Sequence, residues 1–490
     1  MSILFWLPLA IVSLPLCAQL DPAVESQQAR QMMAEGRYAQ AVPIYDRLVK
    51  SMPANPGLRL NLAMALHLSG EDAKAIPHFE AVLKQQPTVL PALMLLGASY
   101  LRTGSPAKAV PVLEKAMTIA PDDLQGRAML ADALLMLERY SSAIPHLRKL
   151  ATAEPANPRA WFGLGRAYES VAQGAFDTLE KSAQNSPWWL MLAAEARLKL
   201  GRNTAAFTLY RAALEKQRQF RGAHSGLAEV YRKTGHADWA ATEEELEKKT
   251  PPPACATAVS ECHFLKGRQE QALQTALLRK TPESLYWQSR AANELARDAF
   301  SRLAALPPSV ESHQVMAELH RNMGRHSESI EEWKAALVMA PDDTRLQQEL
   351  ATSVYLSRDY PAAEKMTRGL LAADPAVPEL HFILGDSLMN QQQPEQALEP
   401  LTKAVTLRKA YPAAHAVLGR ALLQIGRAKD SIPHLLAALA VDSDGSIHFQ
   451  LSRAYRETGQ DAKAAEARKV YESLQKTTVE AEPAISEPRP

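Results

Sequence analysis

Apolar residues in this chain recur at intervals of three and four, the helical period, over short stretches that a turn residue then interrupts. Trp161, Leu164, Gly165 and Tyr168, spaced three, one and three apart, fall on one helical face, where the glycine lets a neighbouring helix approach closely. A second pattern follows each turn: Ala41, Tyr45 and Leu48 return as Ala75, Phe79 and Val82, and again as Ala109, Leu113 and Ala116. A small residue with a large one a turn later makes a ridge-and-groove contact between helices. The two patterns are joined at Gly36-Arg37-Tyr38, Gly70-Glu71-Asp72 and Gly104-Ser105-Pro106, and each unit is closed by Pro53, Pro87, Pro121 or Pro155. Proline stops a helix because it lacks an N–H and turns the preceding residue away from helical geometry. Ala41, Ala75, Ala109 and Ala143 lie 34 residues apart, and a fixed period of that length predicts a solenoid of helix–turn–helix units.

The segment Trp161-Phe162-Gly163-Leu164-Gly165-Arg166-Ala167-Tyr168, with the closing prolines, resembles the tetratricopeptide repeat. The resemblance implies an all-α, right-handed superhelical solenoid of about 14 helix–turn–helix repeats. Following the frame divides the chain into a signal peptide at 1–18 and an N-terminal repeat array at 19–250. A Pro-rich break with degenerate helical repeats follows at 251–308, then a C-terminal array at 309–476 and a disordered tail at 477–490. The fifth unit is expected to be shortened around Gly174 to Asn185, and Thr250-Pro251-Pro252-Pro253 marks the break.

In this family the first helix of each unit lines a concave groove. By that resemblance the groove carries Leu60, Met64, His67, Met94, Ala98, Leu101, Ala128, Asp132 and Leu135, an apolar stripe with two adaptable methionines. Such a surface accepts an amphipathic helix or an extended apolar peptide; the competing expectation is that these side chains pack on one another. Further along, the stripe turns polar with interspersed aromatics: Phe162, Arg166 and Glu169, then Gln314, Glu318 and Arg321, then Phe449, Arg453 and Arg456. The candidate peptide-groove residues are therefore Leu60, Met64, His67, Met94, Leu101, Leu135, Phe162 and Arg166. The expected function is a non-catalytic protein–protein scaffold of the cell envelope, with a peptide or protein as partner. The alternative is a polysaccharide-export or secretion-system accessory that binds glycan or a synthase, with Trp188 and Trp189 available to stack sugars.

Composition narrows this further. Lys and Arg total 55 against 54 for Asp and Glu, a net charge of +1, which argues against a nucleic-acid partner. The apolar run from Ile3 to Leu16 is too short to span a bilayer but fits a secretory signal, so the expected location is periplasmic or extracellular, with no integral membrane domain after signal removal. Once that segment is gone, Cys255 and Cys262 remain. On one continuous helix their Cα atoms would be roughly 10.5 Å apart, so a disulfide requires a bend after the proline break; two unpaired thiols are the other expectation. His78, His146 and His434 repeat an Ile-Pro-His triplet in units too far apart to share a metal. Neither His313, His320 and His326 nor any Gly-rich phosphate loop or G-x-S-x-G elbow completes a catalytic or metal motif, and no cofactor is expected.

Overall fold

The structure, a computed structural model, describes residues 21–479. The expected signal at 1–18 lies outside the described residues; of the expected disordered tail at 477–490, residues 477–479 instead finish the last helix and the rest lies outside the described residues. Every described regular element is helical. The chain divides into two compact units, residues 1–163 and 164–490, with the division inside one helix.

The first unit is a run of antiparallel helix pairs. These are α1 (Pro22–Ala34) with α2 (Tyr38–Ser51), α3 (Pro56–Leu68) with α4 (Asp72–Gln85), α5 (Leu90–Arg102) with α6 (Pro106–Ile119), and α7 (Leu124–Met136) with α8 (Tyr140–Ala153). A single long helix, α9 (Pro158–Ala183), follows. The second unit continues with α10 (Pro187–Lys199), α11 (Asn203–Lys216), α12 (Ala223–Lys233), α13 (Ala237–Lys248), α14 (Val259–Leu265) and α15 (Gln269–Leu277). Then comes another long helix, α16 (Pro282–Ala304). The last five pairs are α17 (Val310–Asn322) with α18 (His326–Met339), α19 (Thr344–Leu356) with α20 (Tyr360–Ala373), α21 (Pro378–Asn390) with α22 (Pro394–Leu407), α23 (Pro412–Gln424) with α24 (Ala428–Ala437), and α25 (Ser446–Glu457) with α26 (Asp461–Val479). Twelve pairs and two single helices are thus described, an all-α helix-pair superhelical solenoid of about a dozen repeats. The shortened fifth unit is in fact α9 alone: helix continues through Gly174, and no turn forms before Gln184.

Local chemistry sets each boundary. Asn55 caps α3 by accepting from Gly57 N–H at 3.0 Å and Leu58 N–H at 3.2 Å, and Pro56 takes the first helical position, where no N–H is needed. At the other end Gly70 enters the left-handed region at φ +86°, so its N–H reaches His67 O and the Glu71 N–H reaches Leu66 O. The same pair of bonds ends α1, α5, α7 and α21. Inside three of the pairs a glycine on the first helix meets a leucine on the second. A Cβ on Gly97 would stand 2.5 Å from the Leu113 side chain, one on Gly385 2.5 Å from Leu401, and one on Gly419 2.7 Å from Leu435.

A tether that the sequence does not advertise secures the turns between units. The fourth residue of a first helix donates back to the carbonyl six residues earlier. Arg59 reaches Pro53 O at 3.0 Å, Trp161 Nε1 reaches Pro155 O at 2.8 Å, Gln347 reaches Pro341 O at 2.9 Å, and His381 Nε2 reaches Pro375 O at 3.0 Å. Arg127 does the same to Pro121 O. The tether gives a partner to a loop carbonyl one residue past the cap of the preceding helix. Replacing Trp161 by phenylalanine keeps an aromatic side chain, smaller than the indole, and loses this bond. It is expected to cost about 1 kcal/mol, read as a lower urea midpoint with an unchanged far-ultraviolet spectrum.

Candidate interaction surface

On a first helix the faces turned toward its own second helix and toward neighbouring units are consumed by packing, leaving the fifth, ninth and twelfth positions. In the first unit these are Leu60 and Met64 of α3, Met94, Ala98 and Leu101 of α5, Ala128, Asp132 and Leu135 of α7, and Phe162 at the start of α9. All are half-buried, so an apolar row reaches the surface without being sealed over. Met94 also lies against Gly126, where an added Cβ would stand 2.8 Å from its Sδ. Burial raises the Asp132 carboxyl, and Arg159, 2.8 Å away, works against that shift.

His67 departs from its expected place. It is 7% exposed and faces inward, with Nδ1 2.7 Å from Asp72 and 2.9 Å from Ser99. Arg102 meets the same carboxylate through two nitrogens, at 2.6 and 2.8 Å. Burial would raise Asp72, but the hydrogen bonds from Arg102, Ser99 and His67 outweigh it and hold the carboxyl below its usual range. This cluster joins the second and third pairs, and His67 is a packing residue rather than a groove-lining one.

The second unit treats the same face differently. Helix α16 packs against α10 as well as against its neighbours α14 and α15. Its Tyr286 lies edge-on to Phe220 at 5.6 Å and 5.2 Å from Trp188, and a Cβ on Gly165 of α9 would collide with the Phe300 ring at 2.4 Å. Trp188 and Trp189 both pack against this core, so the rings singled out for sugar stacking contribute to internal contacts. Arg290 sits at the centre: 3.4 Å from Glu195, bonded to Tyr286 Oη at 2.7 Å, and over the rings of Phe264, Tyr286 and Trp287 at 5.1–5.9 Å. Burial pushes the Glu195 carboxyl up, opposed by Arg290 and Lys199. Beside it a cavity of about 510 Å³ is lined by Arg166, Glu169, Phe176, Glu195, Lys199 and Asn293 among others. Arg166 spans Glu318 of α17 at 2.8 Å and Glu169 at 3.4 Å.

Toward the C-terminal end the face is polar and largely paired. Arg321 contacts Glu349 at 2.6 Å, and Asp386 accepts from Tyr355 at 2.8 Å and from Arg420 at 2.9 Å. Arg453 and Arg456 are exposed, while Phe449 packs against Tyr471 at 5.3 Å. Cys255 and Cys262 form a disulfide with Cα atoms 5.6 Å apart. Cys255 lies in the turn ahead of α14 and Cys262 within that helix, which supplies the required bend. Among the described residues no three His, Cys, Asp or Glu side chains gather as a metal set, and no helix is long and apolar enough to cross a membrane. His313 instead meets Glu332 at 2.6 Å.

Repeated helix pairs, stacked through small-on-large contacts with one first-helix face left over, define a protein-interaction solenoid. The chain belongs to the tetratricopeptide-repeat proteins: residues 32–96, 128–187, 349–415 and 416–474 match models of that family. Residues 69–150 also match a family described as anaphase-promoting complex, cyclosome, subunit 3. The human protein O-mannosyl-transferase TMTC1 is 23% identical over 126 residues, 26% of this chain and 14% of that protein, so the match spans about one seventh of the curated relative. Among solved structures, a tetratricopeptide-repeat protein from Parabacteroides merdae aligns at a TM-score of 0.34 and 11% identity, covering 68% of this chain and 98% of that one. YrrB, described as a tetratricopeptide-repeat protein with an unusual peptide-binding site, aligns at 0.29 and 19% identity over 34% of this chain and 85% of its own.

Proposed function

We propose that this chain is an exported scaffold of the cell envelope that takes an apolar peptide segment of a partner protein along the first-helix face of its first unit. The observation that carries this reading is the contrast between the two units. Leu60, Met64, Met94, Leu101 and Leu135 form a half-open apolar row, whereas the corresponding face of α10 in the second unit is packed by the chain's own α16. Methionine and leucine on rigid helices suit an amphipathic or extended segment, because the receiving surface is ordered before binding and the thioethers adapt to the side chains that arrive. The Cys255–Cys262 bridge supports the exported setting, since such bonds persist in oxidising compartments.

The test is crosslinking of the tagged chain in its own cells, followed by mass spectrometry of what it retains. Changing Met64 and Met94 together to glutamate is expected to abolish recovery of the partner while the helical circular dichroism is preserved. Undiminished recovery would sink the apolar-row reading. Sequencing the purified chain's N-terminus in the same preparation tests export: a start near Gln19 is the expected result, and an intact Met1 with only cytoplasmic partners would overturn it.

A further inference from the structure

One slot inside the helix pairs holds histidine in two opposite settings. It joins a residue of the first helix to the seventh residue of the second, nineteen positions later. In three pairs the second-helix member is the histidine of an Ile-Pro-His triplet, and its partner is a cation or another imidazole. His78 of α4 feels the charge of Arg59 of α3, His146 of α8 lies with Nδ1 3.4 Å from Arg127 Nη1 of α7, and His434 of α24 lies with Nδ1 2.9 Å from His415 Nδ1 of α23. In two other pairs a carboxylate stands opposite the ring: Glu243 is 2.5 Å from His224 across α12 and α13, and Glu332 is 2.6 Å from His313 across α17 and α18.

We infer that these slots make the solenoid respond to protons pair by pair, with acid loosening α3/α4, α7/α8 and α23/α24 while sparing α12/α13 and α17/α18. The geometry of each slot gives the reason. His415 Nε2 lies 3.1 Å from Lys409 O and donates to it, so its Nδ1 is the acceptor for the His434 Nδ1–H. The two rings stack at 5.1 Å, and a proton on each would destroy that bond and set two like charges together. Arg59 Nε and His78 Nδ1 are both buried without a hydrogen-bond partner, so a proton on His78 adds a second cation where the first is already incompletely solvated.

The charged surroundings do not reverse this. His78 also feels Asp46 of α2, His146 feels Glu114 of α6 and Lys149 of its own helix, and His434 feels Asp430 of its own helix. Burial is the largest influence on all three and keeps them below the ordinary imidazole range, with Arg59, Arg127 or His415 adding to it. A base whose folded pKa is depressed contributes stability that is complete above its unfolded value, about 6.5, and that is lost as the pH falls below it toward the folded value.

Hydrogen exchange by mass spectrometry on the full chain at pH 7.5 and 5.0, corrected for intrinsic exchange rates, tests this. Protection in Asp72–Gln85, Tyr140–Ala153 and Ala428–Ala437 is expected to fall several-fold, and protection in Ala237–Lys248 and His326–Met339 to change by much less. His78→Gln, His146→Gln and His434→Gln, made singly, should each remove the fall in their own pair. Arg127→Gln, which keeps the histidine and removes the opposing cation, should shrink the fall in α8, and it supplies the result there if His146→Gln folds poorly. An equal loss in all five pairs, or a fall that survives in the glutamine variants, would overturn the inference.

Discussion

Replacing Trp333 by alanine should cost the C-terminal array about 3–5 kcal/mol, the range for removing a large aromatic side chain from a packed core. Trp333 is 1% exposed and lies among Ala317, Leu346, Leu350 and Ala363, so its removal empties space between α17, α18 and α19. It also strips a donor from Ser353, whose Oγ accepts from Trp333 Nε1 at 3.0 Å in a buried position shared with Ser329. In a solenoid the loss stays with the repeats that touch the vacancy, because each pair is stabilised mainly by its neighbours. Urea unfolding followed by circular dichroism should therefore develop an early step, with α17–α20 melting before the rest. A shift below about 1 kcal/mol would mean that the site collapses around the missing ring.

Arg290→Met should be the second severe change. The variant retains a long side chain but leaves Glu195 without its nearest cation, the Tyr286 hydroxyl without its 2.7 Å partner, and three rings without the charge above them. Breaking a fully buried pair costs ~3–5 kcal/mol; here about a quarter of each side chain reaches water, so about 2–3 kcal/mol is expected at pH 7.5. The pH dependence identifies the cause. Without Arg290 the buried Glu195 carboxyl lies further above its unfolded value, and an acid with a raised pKa loses stability as the pH rises through the folded value. The deficit relative to the parent should therefore narrow between pH 7.5 and 5, and Glu195→Gln combined with Arg290→Met should recover much of it. A deficit independent of pH would assign the loss to ring packing instead.

The repeat itself was legible because its signals are local. Asn55-Pro56, Gly70 and the pairing of Ala75 with Phe79 each act within one unit, so period, turn and closure can be read without knowing what lies elsewhere. Residues whose partners lie in distant units were not legible. Arg290 and Glu195 are 95 positions apart and Arg166 and Glu318 are 152 apart, and a frame in which each unit touches only its neighbours places neither pair together. Gly165 shows the limit well. Its small size was expected to admit a neighbouring helix, and it does admit one, but that helix is α16, because α9 has no second helix of its own. His67 misled for the opposite reason: it occupies a groove position by register, yet Asp72 on the following helix draws the ring inward.

The left-handed turn position recurs every 34 residues from Gly36 to Glu138 and again from Gly324 to Gly426, and it is not always glycine. Glu138 follows Gly104 in that series at φ +57°, and Arg358 and Gln392 stand between Gly324 and Gly426 at +67° and +61°. Each accepts a conformation that a side chain disfavours, and the turns at Glu138 and Gln392 nevertheless close with the same pair of bonds as the turn at Gly70. The turns are therefore followers of the helices rather than their guides. Packed faces set each pair against the next, and the tips, where a Cβ on Gly36, Gly70 or Gly104 would meet nothing within 4 Å, leave room for a change of side chain.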